Sequence, residues 1–545
     1  MSDSLRQLLA EVAATFDPEP IEFALERPRD PSHGDLSTNV AMQLARRLRT
    51  KPRDLAERFV ATLTPRLADG VAIKDIAGPG FINFQFALDT VASSLTRILA
   101  EGPRFGRSQQ GDARKVNVEF VSANPTGPLH VGHGRGAALG DGIGALLEWT
   151  GHQVTREFYV NDAGVQINRL AESLWARVQQ AVGRNAEIPE GGYHGAYLNE
   201  AADELLQREG KAFADLETSV GVARCRAAVL VMQRAEQDET LAKFGVQFDV
   251  ISSEQRLYDD GSVAAGLKRL ADVGLTFEEG GAVWLRTSAF GDDRDRVLRK
   301  SDGSYTYLVP DIAYHLDKFG RGFQHVIDVW GADHHGYIPR MQAALTALGI
   351  PAGWLDVAIV QLVRVVRGTE EVKMSKRSGE FVTLRDLYEE TGVDAARYWF
   401  LMRRGDSHLV FDIDLAKSQT DENPVYYVQM AHARMCGIER NALAAGITLG
   451  GAPDISALSE DDVALIKTLA YFPDLVARSA EASEPHRITT WLEELARAVH
   501  AWYHKSRVIG ETPAVQNARL HVARATRQVI ANALALLGIT APERM

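Results

Sequence analysis

The pattern of apolar and polar positions changes character twice along the chain. Residues 1–110 open on MSDSLRQLLAEVAATF, an amphipathic helix pattern with acids inside it, and continue through amphipathic stretches over 40–48 and 54–67. They end in GPGFINFQF, where Phe81, Ile82, Phe84 and Phe86 follow a Gly-Pro-Gly turn and predict a strand. Helices with terminal strands predict a small α+β unit, followed by the charged linker RFGRSQQGDARK. KVNVEFVS then alternates as a strand does, ANPTGPLHVGHGRG is turn chemistry, and Leu139, Ile143, Leu146 and Leu147 fall at helical spacing. Thr150-Gly151-His152 closes that helix and VTREFYV starts a second strand, which together predict a βαβ unit and a parallel sheet. The pattern over about 165–300 is mostly helical around a polar patch, EIPEGGYHG, and predicts an insertion in the sheet fold. Strand signals return at 325–331 and 356–366, and residues 426–545 read almost wholly as helices, a bundle.

Composition narrows the class. The chain has 545 residues, 45% hydrophobic and 24% charged, which suits several globular domains and excludes disorder or collagen. Cys225 and Cys436 are isolated, so a disulfide framework and a Cys-based zinc site are excluded and a reducing compartment fits. No signal peptide opens the chain and no long uncharged apolar run crosses it, so a cytoplasmic protein without membrane contact is expected. The net charge of −12 argues mildly against a nucleic-acid binder. Both ends are charge-balanced and the middle carries the whole excess, so the end domains could still meet a polyanion.

Two motifs carry candidate chemistry. HVGH places His130 and His133 three apart at a helix start, where glycines permit close approach and the helix dipole suits phosphate. Imidazoles there can donate to a phosphoryl group as charge develops on it. VKMSKRSGE brackets Met374 and Ser375 between Lys373 and Lys376, an electrostatic clamp for a polyphosphate. Either motif alone is ordinarily a polar helix start or a solvated loop; their combination is much rarer.

HVGH and KMSK resemble the two signatures of class I aminoacyl-tRNA synthetases, and VEFVSANPTGPLHVGHGRGAALGD is similar to the arginyl-tRNA synthetase form of the first. GDLSTNVAMQLA, EFYVNDAGVQINRL, GADHHGYIPR, NPVYYVQMAHAR and LLGITAPERM extend that resemblance over the chain. The second signature is complete here, whereas many members of the family are degenerate in it. The resemblance implies that His130, His133, Lys373 and Lys376 are catalytic, and that Gly132, Met374 and Ser375 line ATP; Asp333, following HVIDVWG at another strand's carboxyl end, is expected to accept from the ATP ribose hydroxyl. A guanidinium requires carboxylates and neutral acceptors. By resemblance, Tyr307 and Asp311 hold it, and Glu119, Ser122 and Asn124 hold the α-amino end. Asn83, Phe84 and Gln85 would lie near the tRNA elbow. Tyr427, Arg434 and Trp502 would contact the anticodon, since unstacked bases pack on aromatic faces. Mg²⁺ would arrive with ATP, no zinc or other protein-bound metal is expected, and the partners are L-arginine, ATP and tRNA(Arg), served by a monomer.

The expected class is thus α/β. A Rossmann-like parallel-sheet catalytic domain (111–425) carries a helical insertion at about 165–300. An N-terminal α+β domain (1–110) precedes it and an all-α anticodon-binding bundle (426–545) follows. The implied function is arginyl-tRNA synthetase, with another class I synthetase or a non-catalytic tRNA-binding paralogue as alternatives.

Overall fold

The computed structural model of the chain describes residues 2–28, 30–372 and 382–545. At its centre lies a five-stranded, all-parallel sheet in the order Leu355–Val360, His325–Gly331, Lys115–Glu119, Gln153–Val160, Val250–Ser253. The chain enters in the middle, builds outward on one side, then returns to build the other. The order therefore reverses between Lys115–Glu119 and His325–Gly331, and the crevice at the carboxyl ends of those strands is where such sheets bind ligands.

The helix Val131–Trp149 crosses over from the first strand to the second. Its glycines let it lie close to the sheet: a Cβ at Gly140 would run into the ring of Phe120. Arg135, buried in this helix, donates to the carbonyls of Gln361, Arg404 and Ser407 at 2.7–2.8 Å, fixing the helix against the far side of the fold. Arg397 does the same from below, bonding Asp141 of this helix and the carbonyls of Phe244 and Leu537.

The region from 165 to 300 departs from a plain helical insertion. Helices Val165–Ala181, Tyr197–Glu209 and Thr218–Lys243 do form a body with its own core around Leu174, Trp175 and Val229. The chain then returns to the central sheet as its edge strand Val250–Ser253. Beyond it, Thr276–Glu279, Ala282–Leu285 and Arg296–Arg299 make a small antiparallel sheet. Gly280 and Gly281 turn its first hairpin with positive φ, the geometry of a tight two-residue turn. The apolar run at 356–366 also divides. Leu355–Val360 ends the parallel sheet, and Val363–Arg367 joins a separate three-stranded sheet.

The N-terminal unit has helices Ser2–Phe16, Val40–Leu48 and Pro52–Leu63 over a four-stranded antiparallel sheet that includes Phe81–Phe86. The third helix stops short of residue 67 because Pro65 cannot donate to its ladder. The next helix, Leu88–Glu101, leaves this unit: Val91, Leu95 and Ile98 join the main core with Leu465 and Leu469. From Pro424 onward the chain is helical, its longest helices being Pro424–Ala444, His486–Lys505 and Pro513–Leu536.

Candidate active site

His130 caps the helix Val131–Trp149. Its Nδ1 accepts from the backbone N–H of Gly132 at 3.1 Å and of His133 at 3.4 Å, while the N–H of His130 reaches Nδ1 of His133 at 3.3 Å. Two acceptor nitrogens at Nδ1 place each proton on Nε2. The rings stack with centroids 3.7 Å apart. Burial lowers the pKa of both, His133 to about 3, where proximity to His130 adds to the effect. The pair is therefore neutral at physiological pH, and the chemistry it offers is Nε2–H donation.

This geometry corrects one expectation. The helix amides do not face a phosphate freely: those of Gly132 and His133 are taken by the His130 ring, and that of Val131 donates to Val382. Gly132 itself admits the ring, since a Cβ there would sit 2.9 Å from Cε1 of His130.

Lys373, Met374, Ser375 and Lys376 lie outside the described residues. The chain immediately beyond them is tied to the first signature: Leu384 N–H donates to the Leu129 carbonyl at 2.7 Å, and His130 and Thr383 form an antiparallel bridge.

The second group of candidate residues begins where the strand Lys115–Glu119 stops. Val121 and Ser122 both adopt positive φ, 68° and 40°, conformations that cost roughly 1–3 kcal/mol each for non-glycine residues and cluster at functional sites. The turn directs the Ser122 hydroxyl back to donate to Glu119 Oε1 at 2.8 Å. Glu119 Oε2 accepts from buried Lys318 at 2.5 Å, so this carboxylate is already held from two sides. Asn124 donates to Gln166 at 2.9 Å.

Asp311 projects from the first turn of the helix Leu308–Gly320 and accepts from the Tyr337 hydroxyl at 2.6 Å. Tyr307, one turn earlier, is 76% exposed. Sequence reasoning missed Glu254. This buried residue follows the edge strand Val250–Ser253 directly, at the same carboxyl edge of the sheet. Desolvation first and the charge of Asp311 second raise Glu254 to about 7, against the opposing Tyr159 hydroxyl. Burial likewise raises Asp311. Neither carboxylate has a salt-bridge partner among the described residues. Two neighbouring carboxylates, each disfavoured as an anion, constitute a site for a cation. Its only signal in the sequence was a carboxylate directly after the β-branched pair and serines of VISSE.

A cation that binds the ionised pair must displace the proton that Glu254 holds below its pKa. Its affinity should therefore fall on acidification. Lowering the pH from 8 to 6 is expected to raise the KM for a guanidinium substrate about tenfold, the effect of one proton. Glu254→Gln should flatten that dependence, as a pH series of initial rates would establish.

Asp333 follows the strand His325–Gly331, exposed at the same edge, 3.5 Å from His334. Several proposed RNA contacts are corrected by burial. Phe84 is fully buried in the N-terminal core, and Asn83 is buried with its amide on Asp75 at 2.6 Å; of that trio only Gln85 is exposed. Trp502 is 2% exposed and donates to Asp462, a core pillar rather than a stacking platform. Tyr427 and Arg434 are partly exposed and share His500, which accepts from Arg434 and donates to the Tyr427 carbonyl.

Comparison with known proteins identifies the class first. Residues 94–419 match the family described as "tRNA synthetases class I (R), catalytic domain". A methionyl-tRNA synthetase of Mycobacterium tuberculosis, solved with methionyl-adenylate, shares the fold at a TM-score of 0.54, with 16% identity over 79% of this chain and 92% of that one. The sheet and the histidine-capped helix are thus those of a class I aminoacyl-tRNA synthetase. Residues 1–86 match "Arginyl tRNA synthetase N terminal domain" and residues 428–545 match "DALR anticodon binding domain". The arginine–tRNA ligases of Syntrophotalea carbinolica and Geobacter metallireducens are each 48% identical, covering 100% of this chain and of theirs. The Thermus thermophilus arginyl-tRNA synthetase superposes with a TM-score of 0.79 over the whole of both chains at 22% identity. The chain belongs to the arginyl-tRNA synthetase family.

Proposed function

We propose that this chain activates L-arginine with ATP and transfers it to the 3′-terminal adenosine of tRNA(Arg). The observation that carries the choice of amino acid is the pair Asp311 and Glu254, two neighbouring carboxylates with no salt-bridge partner among the described residues. A guanidinium supplies the missing charge and a planar fork of donors. Asp311 and Glu254 hold that end with Tyr307, one turn before Asp311, and Glu119, Ser122 and Asn124 orient the α-amino end.

In the first step an arginine carboxylate oxygen attacks the α-phosphorus of ATP and pyrophosphate leaves. In the second the terminal ribose hydroxyl, the 2′ one for class I, attacks the activated carbonyl and AMP leaves. No covalent enzyme intermediate is needed; catalysis is positioning and charge stabilisation. His130 and His133 donate from Nε2 to the reacting phosphate, Gly132 makes room for that arrangement, and Asp333 takes a ribose hydroxyl. Lys373 and Lys376, with Met374 and Ser375 between them, neutralise the departing pyrophosphate. Mg²⁺ enters with ATP as part of the substrate. Among the described residues no group of three or more His, Cys, Asp or Glu could hold a metal ion.

Gln85 faces the tRNA elbow, and Tyr427 and Arg434 stand on the anticodon-facing side of the C-terminal bundle. Residues 1–110, 111–425 and 426–545 divide these tasks. One chain carries every group invoked, which supports a monomer, and the cytoplasm is its proposed place of action. No helix among the described residues is long and apolar enough to cross a membrane.

ATP–pyrophosphate exchange with each of the twenty amino acids, with and without tRNA, tests the reading. Exchange should depend on arginine alone, and equal exchange with another amino acid would overturn it. Lys376→Ala should slow exchange by about 10² or more, the scale of a lost transition-state contact. Its tRNA affinity should stay within about twofold. Unchanged exchange kinetics would remove the lysine from the mechanism.

A further inference from the structure

One face of the helix Leu308–Gly320 carries Asp311, His315 and Lys318, spaced i, i+4 and i+7. Asp328, on the strand His325–Gly331, lies against that face. Its Oδ1 accepts from Lys318 at 2.9 Å and its Oδ2 from His315 Nε2 at 2.9 Å. Each of these two groups has a second bond. Lys318 reaches Glu119 Oε2 at 2.5 Å, and His315 Nδ1 donates to the backbone carbonyl of Asp311 at 2.7 Å. A carbonyl and a carboxylate both accept, so both nitrogens of His315 carry protons and the ring is an imidazolium. Lys318 and Asp328 have side chains 0% and 1% exposed, and His315 4%. The result is a buried, charge-balanced quartet of Asp328, Glu119, Lys318 and His315. Asp328 is its midpoint: one oxygen leads to the carboxylate of the α-amino end, the other to the backbone of the guanidinium end. Asp328 and Glu119 are also register partners on adjacent parallel strands.

We propose that Asp328, acting through Lys318 and His315, is a positioning residue that fixes the separation of Glu119 from Asp311 and so sets the length of amino-acid side chain the pocket accepts. This rests on the reading of Glu119 and Asp311 as the two ends of the arginine pocket. A buried charged network of this kind has little net stabilising value over an apolar packing of the same volume. Its return is geometric, because each group in it is held by two directional bonds. An aliphatic pocket wall distinguishes one methylene by only about 10–200-fold, so a rigid distance between polar ends adds discrimination that the walls cannot.

The test is ATP–pyrophosphate exchange by the full chain with arginine, its homologue one methylene longer and its homologue one methylene shorter, in parent, Asp328→Asn and Asp311→Asn. Asp328→Asn keeps the volume and one acceptor but removes the charge that holds two cations. We expect kcat/KM for arginine to fall about 30-fold, near the lower end of the effect of breaking a buried pair. The preference for arginine over both homologues should narrow at least fivefold, and the KM for ATP should stay within twofold. A purely structural role would lower the melting temperature and reduce all three substrates equally. An unchanged preference in a folded Asp328→Asn protein overturns the proposal. If that variant does not fold by circular dichroism, His315→Gln decides the matter in the same assay. It keeps a donor toward Asp328 and removes the bond to the Asp311 carbonyl, and the same narrowing is expected. If Asp311→Asn leaves the arginine KM unaltered, the pocket reading itself fails, a separate outcome.

Discussion

Asp311→Asn is expected to raise the KM for arginine about 100-fold while leaving that for ATP within about threefold. The substitution keeps the shape of the side chain and an oxygen for the Tyr337 hydroxyl, which now donates to Asp311 at 2.6 Å. It removes the negative charge from a recess where burial already disfavours that charge and where Glu254 is raised to about 7 beside it. In the parent, a bound guanidinium relieves both carboxylates together. In the variant it meets one carboxylate and an amide whose N–H₂ also donates, so one contact turns from attraction to conflict. Truncating one partner of a buried charge pair costs about 2–5 kcal/mol, and 2.7 kcal/mol corresponds to the stated factor. The nucleotide side, built around His130 and His133, shares none of these groups. Titrating both ligands against the variant checks the assignment, and equal losses for arginine and ATP would withdraw it. The variant should melt no lower than the parent, because it removes a charge with no salt-bridge partner among the described residues.

What the sequence made legible, and what it hid, follows from the range of the interactions involved. The strand–turn–helix around HVGH is local: alternation in 115–122, glycines in the turn, and apolar spacing from Leu139 onward specify it within forty residues. The all-helical C-terminal region is legible for the same reason. The strand Val250–Ser253 was hidden because four residues at a sheet edge carry no period, and its pairing partner Gln153–Val160 lies ninety residues away. Glu254 was hidden with it. The quartet around Asp328 could not be read at all, since it joins residues 119, 315, 318 and 328 through pairings set by strand order. Trp502 and Phe84 teach the opposite lesson. Trp502 shares a helical face with Leu495 and Val499, and Phe84 shares a strand face with Ile82, and all of these are buried. Periodicity therefore placed both inside, and an RNA contact assigned by resemblance ran against it. Glu119 shows how little a residue type reveals about its state. A carboxylate at a strand end reads as an available partner for an amine, yet Lys318 and Ser122 already hold it, so in the proposed pocket it would serve as a fixed acceptor.

His133→Ala should reduce kcat for arginine-dependent pyrophosphate exchange by about 10²–10³ and leave the arginine KM within about threefold. The charge state of the pair decides the effect. With His133 lowered to about 3 and His130 below its ordinary value, neither ring is cationic at neutral pH. The pair therefore contributes no Coulomb attraction to ground-state ATP. On the proposed mechanism its contribution is hydrogen-bond donation from Nε2 toward charge that develops on the α-phosphoryl oxygens as the carboxylate attacks, and a preorganised donor of that kind is worth the stated factor. Two consequences separate this from mere damage to the fold. The first is the pH profile. With His133 lowered to about 3 and Glu254 raised to about 7, the acidic limb of kcat/KM near neutrality belongs to Glu254, and it should persist unchanged in His133→Ala. Loss of that limb in the variant would make His133 the titrating group and overturn the neutral-donor account. The second is rescue. His133 also accepts from the His130 N–H, a capping bond whose loss costs about 1 kcal/mol of stability. His133→Asn retains an acceptor for that bond and an N–H₂ donor beyond it. It should recover at least tenfold of the lost rate, whereas a residue needed only to cap the helix start would lose melting temperature in His133→Ala and regain it in His133→Asn with kcat unchanged.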